Sequence, residues 1–163
     1  MPTTIRLATE DDCALILEFI IGLAEYEKLA HEVTTDEDQI RETLFGNSGV
    51  PHRVAECLLA FNGDEPAGFA LFFHNYSTFL GKPGLYLEDL FVKPEARGTG
   101  LGKQLLVELA KIAVERGCGR LEWWVLDWNT PAIDFYKSLG AVAQDEWTVF
   151  RLTTDKIKAL AAS

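Results

Sequence analysis

Seven consecutive residues, Arg97-Gly98-Thr99-Gly100-Leu101-Gly102-Lys103, place three glycines between two cations, just ahead of an amphipathic stretch. Glycine lets a backbone approach a ligand closely, and unpaired N–H groups at a helix start form an anion site. A phosphate loop of the P-loop type needs glycine five residues before its Gly-Lys pair and Ser or Thr after it; Arg97 and Gln104 stand there instead. A dinucleotide fingerprint needs glycine at the place of Lys103. What is left is Arg-x-x-Gly-x-Gly, either an anion cradle or a tight strand-to-helix turn.

Carboxylates supply the second group with chemical potential. Glu88 and Asp89 lie inside an otherwise apolar strand, which is costly unless they are paired or face a wet cleft. Strand alternation puts Leu85, Leu87, Asp89 and Phe91 on one side, and Tyr86, Glu88, Leu90 and Val92 on the other. Glu27 continues the helical stripe Cys13, Ile16, Leu17, Ile20, Leu23 and Ala24, as an inward acid or as a frayed helix end. Tyr136 follows Ile133 by three residues, a spacing common for core aromatics. His31, His52 and His74 lack ligand spacing, and Cys13, Cys57 and Cys118 are odd in number and far apart. They read as ordinary histidines and reduced thiols, with no metal assigned.

The elements that must carry these groups can be traced along the chain. Thr3 to Ala8 reads as a strand, and Thr9 with Asp12 as the capping-box start of a helix. A second helix spans Thr35 to Phe45 before Gly46. Val54 to Phe61 and Ala67 to Tyr76 form a hairpin around Asn62-Gly63-Asp64. Leu85 to Val92 is a strand, and Leu101 to Arg116 a helix with Leu105, Leu106, Leu109, Ile112 and Ala113 inward, ended by Gly117. Leu121 to Leu126 is a strand, and Thr130-Pro131 opens a short helix as cap and first residue, closed by Gly140. A strand pair across Ala141 to Leu152 and a tail helix follow. This is a mixed α/β fold in one domain, residues 1–163.

Composition narrows the partners. The chain has 163 residues and a formal charge of −10, with no basic stripe for nucleic acid. An acidic surface attracts cationic ligands. Glu18 and Gly22 interrupt the longest apolar run, so no membrane span is expected. Acids at Glu10, Asp11 and Asp12 stand where a signal peptide carries bases, which points to a cytoplasmic protein.

The segments LYLEDLFVKPEARGTGLGKQLL and VLDWNTPAIDFYKSLGA resemble the diamine acetyltransferase group of the GNAT superfamily. In that superfamily an Arg-x-x-Gly-x-Gly loop binds the pyrophosphate of coenzyme A. Together with LAEYEKL at the end of the first helix, the likeness runs through essentially the whole chain. It is to the thialysine N-epsilon-acetyltransferases, through VLDWN and EYEKL, and also to the spermidine/spermine N1-acetyltransferases. The resemblance implies a central, mostly antiparallel mixed sheet flanked by helices. It implies acetyl-CoA as co-substrate and direct transfer of acetyl to a primary amine of a small cationic acceptor: a thialysine-like amino acid, a diamine or a polyamine. Leu90, Phe91, Val92, the loop Arg97, Gly98, Thr99, Gly100, Leu101, Gly102 and Lys103, and Asn129 and Ala132 would contact the cofactor. Tyr26, Glu27, Glu88 and Asp89 would hold the amine, with Glu88 as base through water and Tyr136 as general acid. A homodimer paired through C-terminal strands is also implied. The alternatives are a non-catalytic CoA-binding regulatory module and a protein N-acetyltransferase.

Overall fold

Gly63 takes φ 62 in the turn between β2 (Glu56–Asn62) and β3 (Glu65–Ser77), a left-handed conformation that closes a tight hairpin. From this hairpin the sheet grows both ways. β1 (Thr3–Leu7) pairs antiparallel with β2, and β4 (Lys82–Val92) pairs antiparallel with β3. β5 (Arg120–Trp123) joins β4 in parallel, completing the order β1-β2-β3-β4-β5. The computed structural model describes residues 2–163 and divides into two compact units, one ending at Trp124 and one from Val125 to Ser163. The expected mixed, mostly antiparallel sheet occupies the first.

Two helices cover opposite faces of that sheet. α1 (Cys13–Tyr26) follows a one-turn 3₁₀ segment whose Asp12 carboxylate accepts from the Thr9 N–H at 2.7 Å and from Arg6 at 2.8 Å. Arg6 chiefly holds the Asp12 carboxyl down to about 2. Cys13, Ile16 and Phe19 are fully buried. The Phe19 ring stacks on Phe69 with centroids 5.3 Å apart, and tilts against Phe91 at 6.2 Å. The sequence stripe omits Phe19, which sits between two of its positions and faces the sheet squarely. α2 (Glu37–Phe45) begins two residues later than the sequence suggests, because the Asp36 side chain, not Thr35, accepts from Gln39 N–H and caps it. α3 (Leu101–Glu115) buries Leu101, Leu105, Leu106, Leu109 and Ala113 on the other face, where Arg116 lies over Phe72.

The alternation expected for β4 fails at one residue. Leu71 is opposite Asp89 while Phe72 is opposite Leu87, so Glu88 is an extra residue without a partner on β3. A bulge of this kind resets the side-chain alternation. Leu85 and Leu87 therefore share the α3 face with Leu90 and Val92, whereas Tyr86 lies on the α1 face with Asp89 and Phe91. Glycine contacts agree: a Cβ on Gly22 of α1 would meet Phe91 at 3.0 Å, and one on Gly102 of α3 would meet Val92 at 3.8 Å.

The second unit holds α4 (Thr130–Ser138) and α5 (Thr154–Ala161). Asn129, one residue before the expected Thr130, occupies the N-cap of α4, with its carbonyl accepting from Ile133 N–H at 3.0 Å. β5 ends at Trp123, not Leu126. The strand pair expected across Ala141 to Leu152 is not formed: that stretch carries no ladder. Its β-forming side chains invite a strand locally, yet its unit offers no other strand, and Trp147 and Phe150 are 80% and 93% exposed.

The stack of Phe19 on Phe69 makes one stability prediction. Phe19→Ala should lower unfolding free energy by about 3–5 kcal/mol, read by urea denaturation. A loss below about 1 kcal/mol, the scale of an ordinary surface change, would show that α1 is not clamped to the sheet by this ring.

Candidate active site

Beyond Leu87 the two neighbours of β4 behave differently. Pairing with β3 continues to Val92, whereas parallel pairing with β5 stops at Leu87↔Trp123. The β5-facing edge of β4 from Glu88 to Val92 therefore has no strand beside it among the described residues. The bulge and the strand opening coincide, and both fall at the paired carboxylates.

Their environments differ sharply. Glu88 is exposed at the bulge, whereas Asp89 is half-buried on the α1 face. Burial first, then the charges of Glu88 and Glu27, raise the Asp89 carboxyl from the ordinary 3.8 to about 6. Glu27 is itself raised by burial. It caps α1 at its C-terminal end, where Lys28 adopts φ 62 and Leu29 N–H reaches back to the Ala24 carbonyl at 2.8 Å. Two further acids, Glu88 beside it on β4 and Glu27 at the end of α1, thus sit within electrostatic range of Asp89, which fits a site for a cation.

An aromatic wall adjoins them. Tyr86 packs against Phe73 at 4.9 Å and edge-on against Trp124 at 5.9 Å. Burial, then Glu88 and Glu122, push its phenol up to about 12. Asn75 Nδ2 donates to Glu122 Oε1 at 3.3 Å. Sequence reasoning passed over Tyr86, Glu122 and Trp124. The available signal was a charge and aromatics alternating in adjacent strands, but strand pairing was needed to bring them together.

The glycine loop lies just past the end of β4. Gly98 and Gly100 take φ 76 and 84, and a Cβ on either would meet nothing within 4 Å. Their conformation, not crowding, selects glycine and leaves the backbone open. Gly100 caps α3, and the N–H groups of Gly98 through Lys103 make no backbone hydrogen bond among the described residues. Thr99 Oγ1 donates to the Ala96 carbonyl at 2.7 Å, and buried Leu101 anchors the following turn. Such a turn fits the diphosphate of a nucleotide cofactor. Lys103 and Gly100 also border a groove of about 610 Å³ along α3, lined by Thr3 and Ile5 of β1 and by Lys111.

In the second unit, Tyr136 lies half-buried on α4 with its ring 5.5 Å from Phe135, and Ala132 stands one turn earlier. The structure thus gathers Glu27, Glu88 and Asp89 around one opening, with the Arg97–Lys103 loop at the end of the same strand. Among the described residues no three His, Cys, Asp or Glu side chains converge as metal ligands.

The raised Asp89 carboxyl has a thermodynamic consequence. The folded chain binds its proton more tightly than the unfolded chain, so this group adds stability as pH falls from about 6 towards 4. Asp12, held at about 2, loses its contribution only below that window. Asp89→Asn should raise stability at neutral pH by on the order of 1–2 kcal/mol. It should also flatten Tm across the same window in calorimetry; an unchanged slope would refute the Asp89 assignment.

A family model described as acetyltransferase (GNAT) family matches residues 20–141. The chain is 40% identical to a thialysine N-epsilon-acetyltransferase of Bos taurus, over 96% of each. It is 35% identical to an L-ornithine N5-acetyltransferase of Arabidopsis thaliana, over 98% of this chain and 88% of that one. Among solved structures, an integron cassette protein from the mobile metagenome of V. cholerae superposes with TM-score 0.81 at 29% identity, covering 100% of this chain and 99% of the other.

Proposed function

Because the chain belongs to the acetyltransferase (GNAT) family, we propose that it moves acetyl from acetyl-CoA directly onto a primary amine of a small cationic acceptor. Relatives named for thialysine and ornithine support amino acids or diamines with a side-chain amine as acceptors. The observation that carries this reading is the bulge at Glu88, which coincides with the unpaired edge of β4 beside an acidic cluster and close to an unpaired glycine turn.

Bound acetyl-CoA supplies an activated thioester carbonyl. The chain's residues do the rest. An alkylamine of pKa near ~10.4 arrives as ammonium, which Glu27, Glu88 and Asp89 attract electrostatically. The aromatic faces of Tyr86 and Trp124 favour a cationic tail. The same carboxylates make deprotonation harder, so exposed Glu88 takes the proton through water. The N–H groups of Leu90 and Val92, which alternate with that of Phe91 and face away from β3, orient the carbonyl and stabilise charge developing on its oxygen. Arg97 through Lys103 hold the diphosphate, and Asn129 and Ala132 contact the cofactor from α4. Tyr136 donates to the leaving sulfur. A free phenol near ~10 is a weaker acid than a thiol near ~8.5, so this donation is a hydrogen bond that strengthens as charge builds. The small-amine names of the relatives, thialysine and ornithine, favour this reading over a non-catalytic module or a protein acetyltransferase.

The apolar side chains that the second unit leaves exposed, Trp147 and Phe150 foremost, support a homodimer. The free thiols of Cys13, Cys57 and Cys118 fit the reducing cytoplasm. Among the described residues no helix is long and apolar enough to cross a membrane.

An acetyl-CoA turnover screen over thialysine, lysine, ornithine, putrescine and spermidine, with products weighed by mass spectrometry, tests the reading. Turnover is expected with at least one amine that carries a second charged group. Absence of thiol release with all of them would overturn the proposal. Tyr136→Phe should lower kcat by about 10²-fold while acetyl-CoA Kd and Tm stay near wild type. An equally active variant would reduce Tyr136 to a packing residue.

A further inference from the structure

Arg97 is held in an unusual way for a surface arginine in so acidic a chain. Its Nε donates to the Val92 carbonyl at 3.0 Å, tying it to the end of β4. Its guanidinium carbon lies 4.8 Å from the centre of the Tyr26 ring and 5.7 Å from that of Phe91. Its terminal nitrogens make no hydrogen bond or ion pair among the described residues, although the chain has 25 Asp and Glu. The donors of a planar fork are therefore directed by two aromatic rings and one carbonyl, and left for an anion.

We infer that Tyr26 is a positioning residue for cofactor binding: its ring fixes the Arg97 guanidinium beside the glycine turn. Arginine loses much rotamer freedom when it grips a phosphate, and a residue that fixes it beforehand lowers that cost. Tyr26 can do so because it is the last residue of α1, whose end is set by the left-handed Lys28 and the Leu29-to-Ala24 hydrogen bond. Its neighbour Glu27 faces the acid cluster through Asp89. One helix end thus serves both ends of the site, the anion through Tyr26 and the amine through Glu27. The inference rests on the reading of Arg97 to Lys103 as the acetyl-CoA diphosphate site.

A double-mutant cycle by titration calorimetry with acetyl-CoA tests it. Tyr26→Leu should raise Kd about three- to fivefold, the weight of one partly exposed cation–π contact. Tyr26→Gln should do the same should the leucine variant fold poorly, and Tyr26→Phe, which keeps the ring, should retain most of the affinity. In an Arg97→Met background, itself weakened, Tyr26→Leu should add nothing. An equal loss in both backgrounds, or no loss beside a weakened Arg97→Met, overturns the positioning role and leaves the function standing. Unchanged affinity in Arg97→Met overturns the diphosphate assignment together with it.

Discussion

One residue too many in β4 organises this protein. With Glu88 out of register, the strand keeps its hydrogen bonds to β3 on one side, while its pairing with β5 ends just before the bulge. A regular strand would have turned Asp89 towards α3, among leucines. The bulge instead puts Asp89 on the α1 face, within reach of Glu27, and leaves Glu88 in water. Bulges near active sites commonly re-aim a side chain in this way. Here the re-aiming assembles an acid cluster beside an open strand edge.

That cluster is expensive for the fold and useful for binding. Asp89 is half-buried near two other carboxylates, and its raised proton affinity records the cost. A cation placed there would relieve it, so the destabilised resting site favours a positively charged ligand over a neutral one. At the end of the same strand the chemistry inverts. The glycine turn offers N–H groups and Arg97 offers guanidinium donors, so an anion is favoured. A strand only a few residues long separates the two preferences, as a transfer between an anionic carrier and a cationic acceptor requires.

α1 links these ends mechanically. Its middle is clamped by Phe19 against Phe69 and Phe91, and Lys93 Nζ bonds Glu18 Oε1 at 2.8 Å. Its C-terminal turn then delivers Tyr26 to Arg97 and Glu27 towards Asp89. Packing in the core thereby sets geometry at the surface, with no residue of α1 needing to touch the transferred group.

Much of this was legible from residue types and spacing alone. The hairpin at Gly63, the capping box at Thr9, the glycine turn and the inward face of α3 are local or periodic properties, fixed by backbone conformation and side-chain burial within a few residues. The elimination of the P-loop and dinucleotide patterns at Arg97 and Lys103 was likewise a matter of sequence. Other features depended on neighbours far along the chain. The extra residue at Glu88 is defined only by its register against Leu71 and Phe72, so strict alternation assigned the strand faces wrongly. The stretch from Ala141 to Leu152 has strand-forming side chains but no strand within its unit to pair with, and propensity alone could not reveal that. Tyr26 and Arg97 lie 71 positions apart, and only the packing of α1 against the end of β4 sets one ring under one guanidinium. Local sequence chooses helix, strand or turn because hydrogen bonds and burial act over short spans; which side chains meet is decided by pairing register and packing, which are properties of the whole sheet.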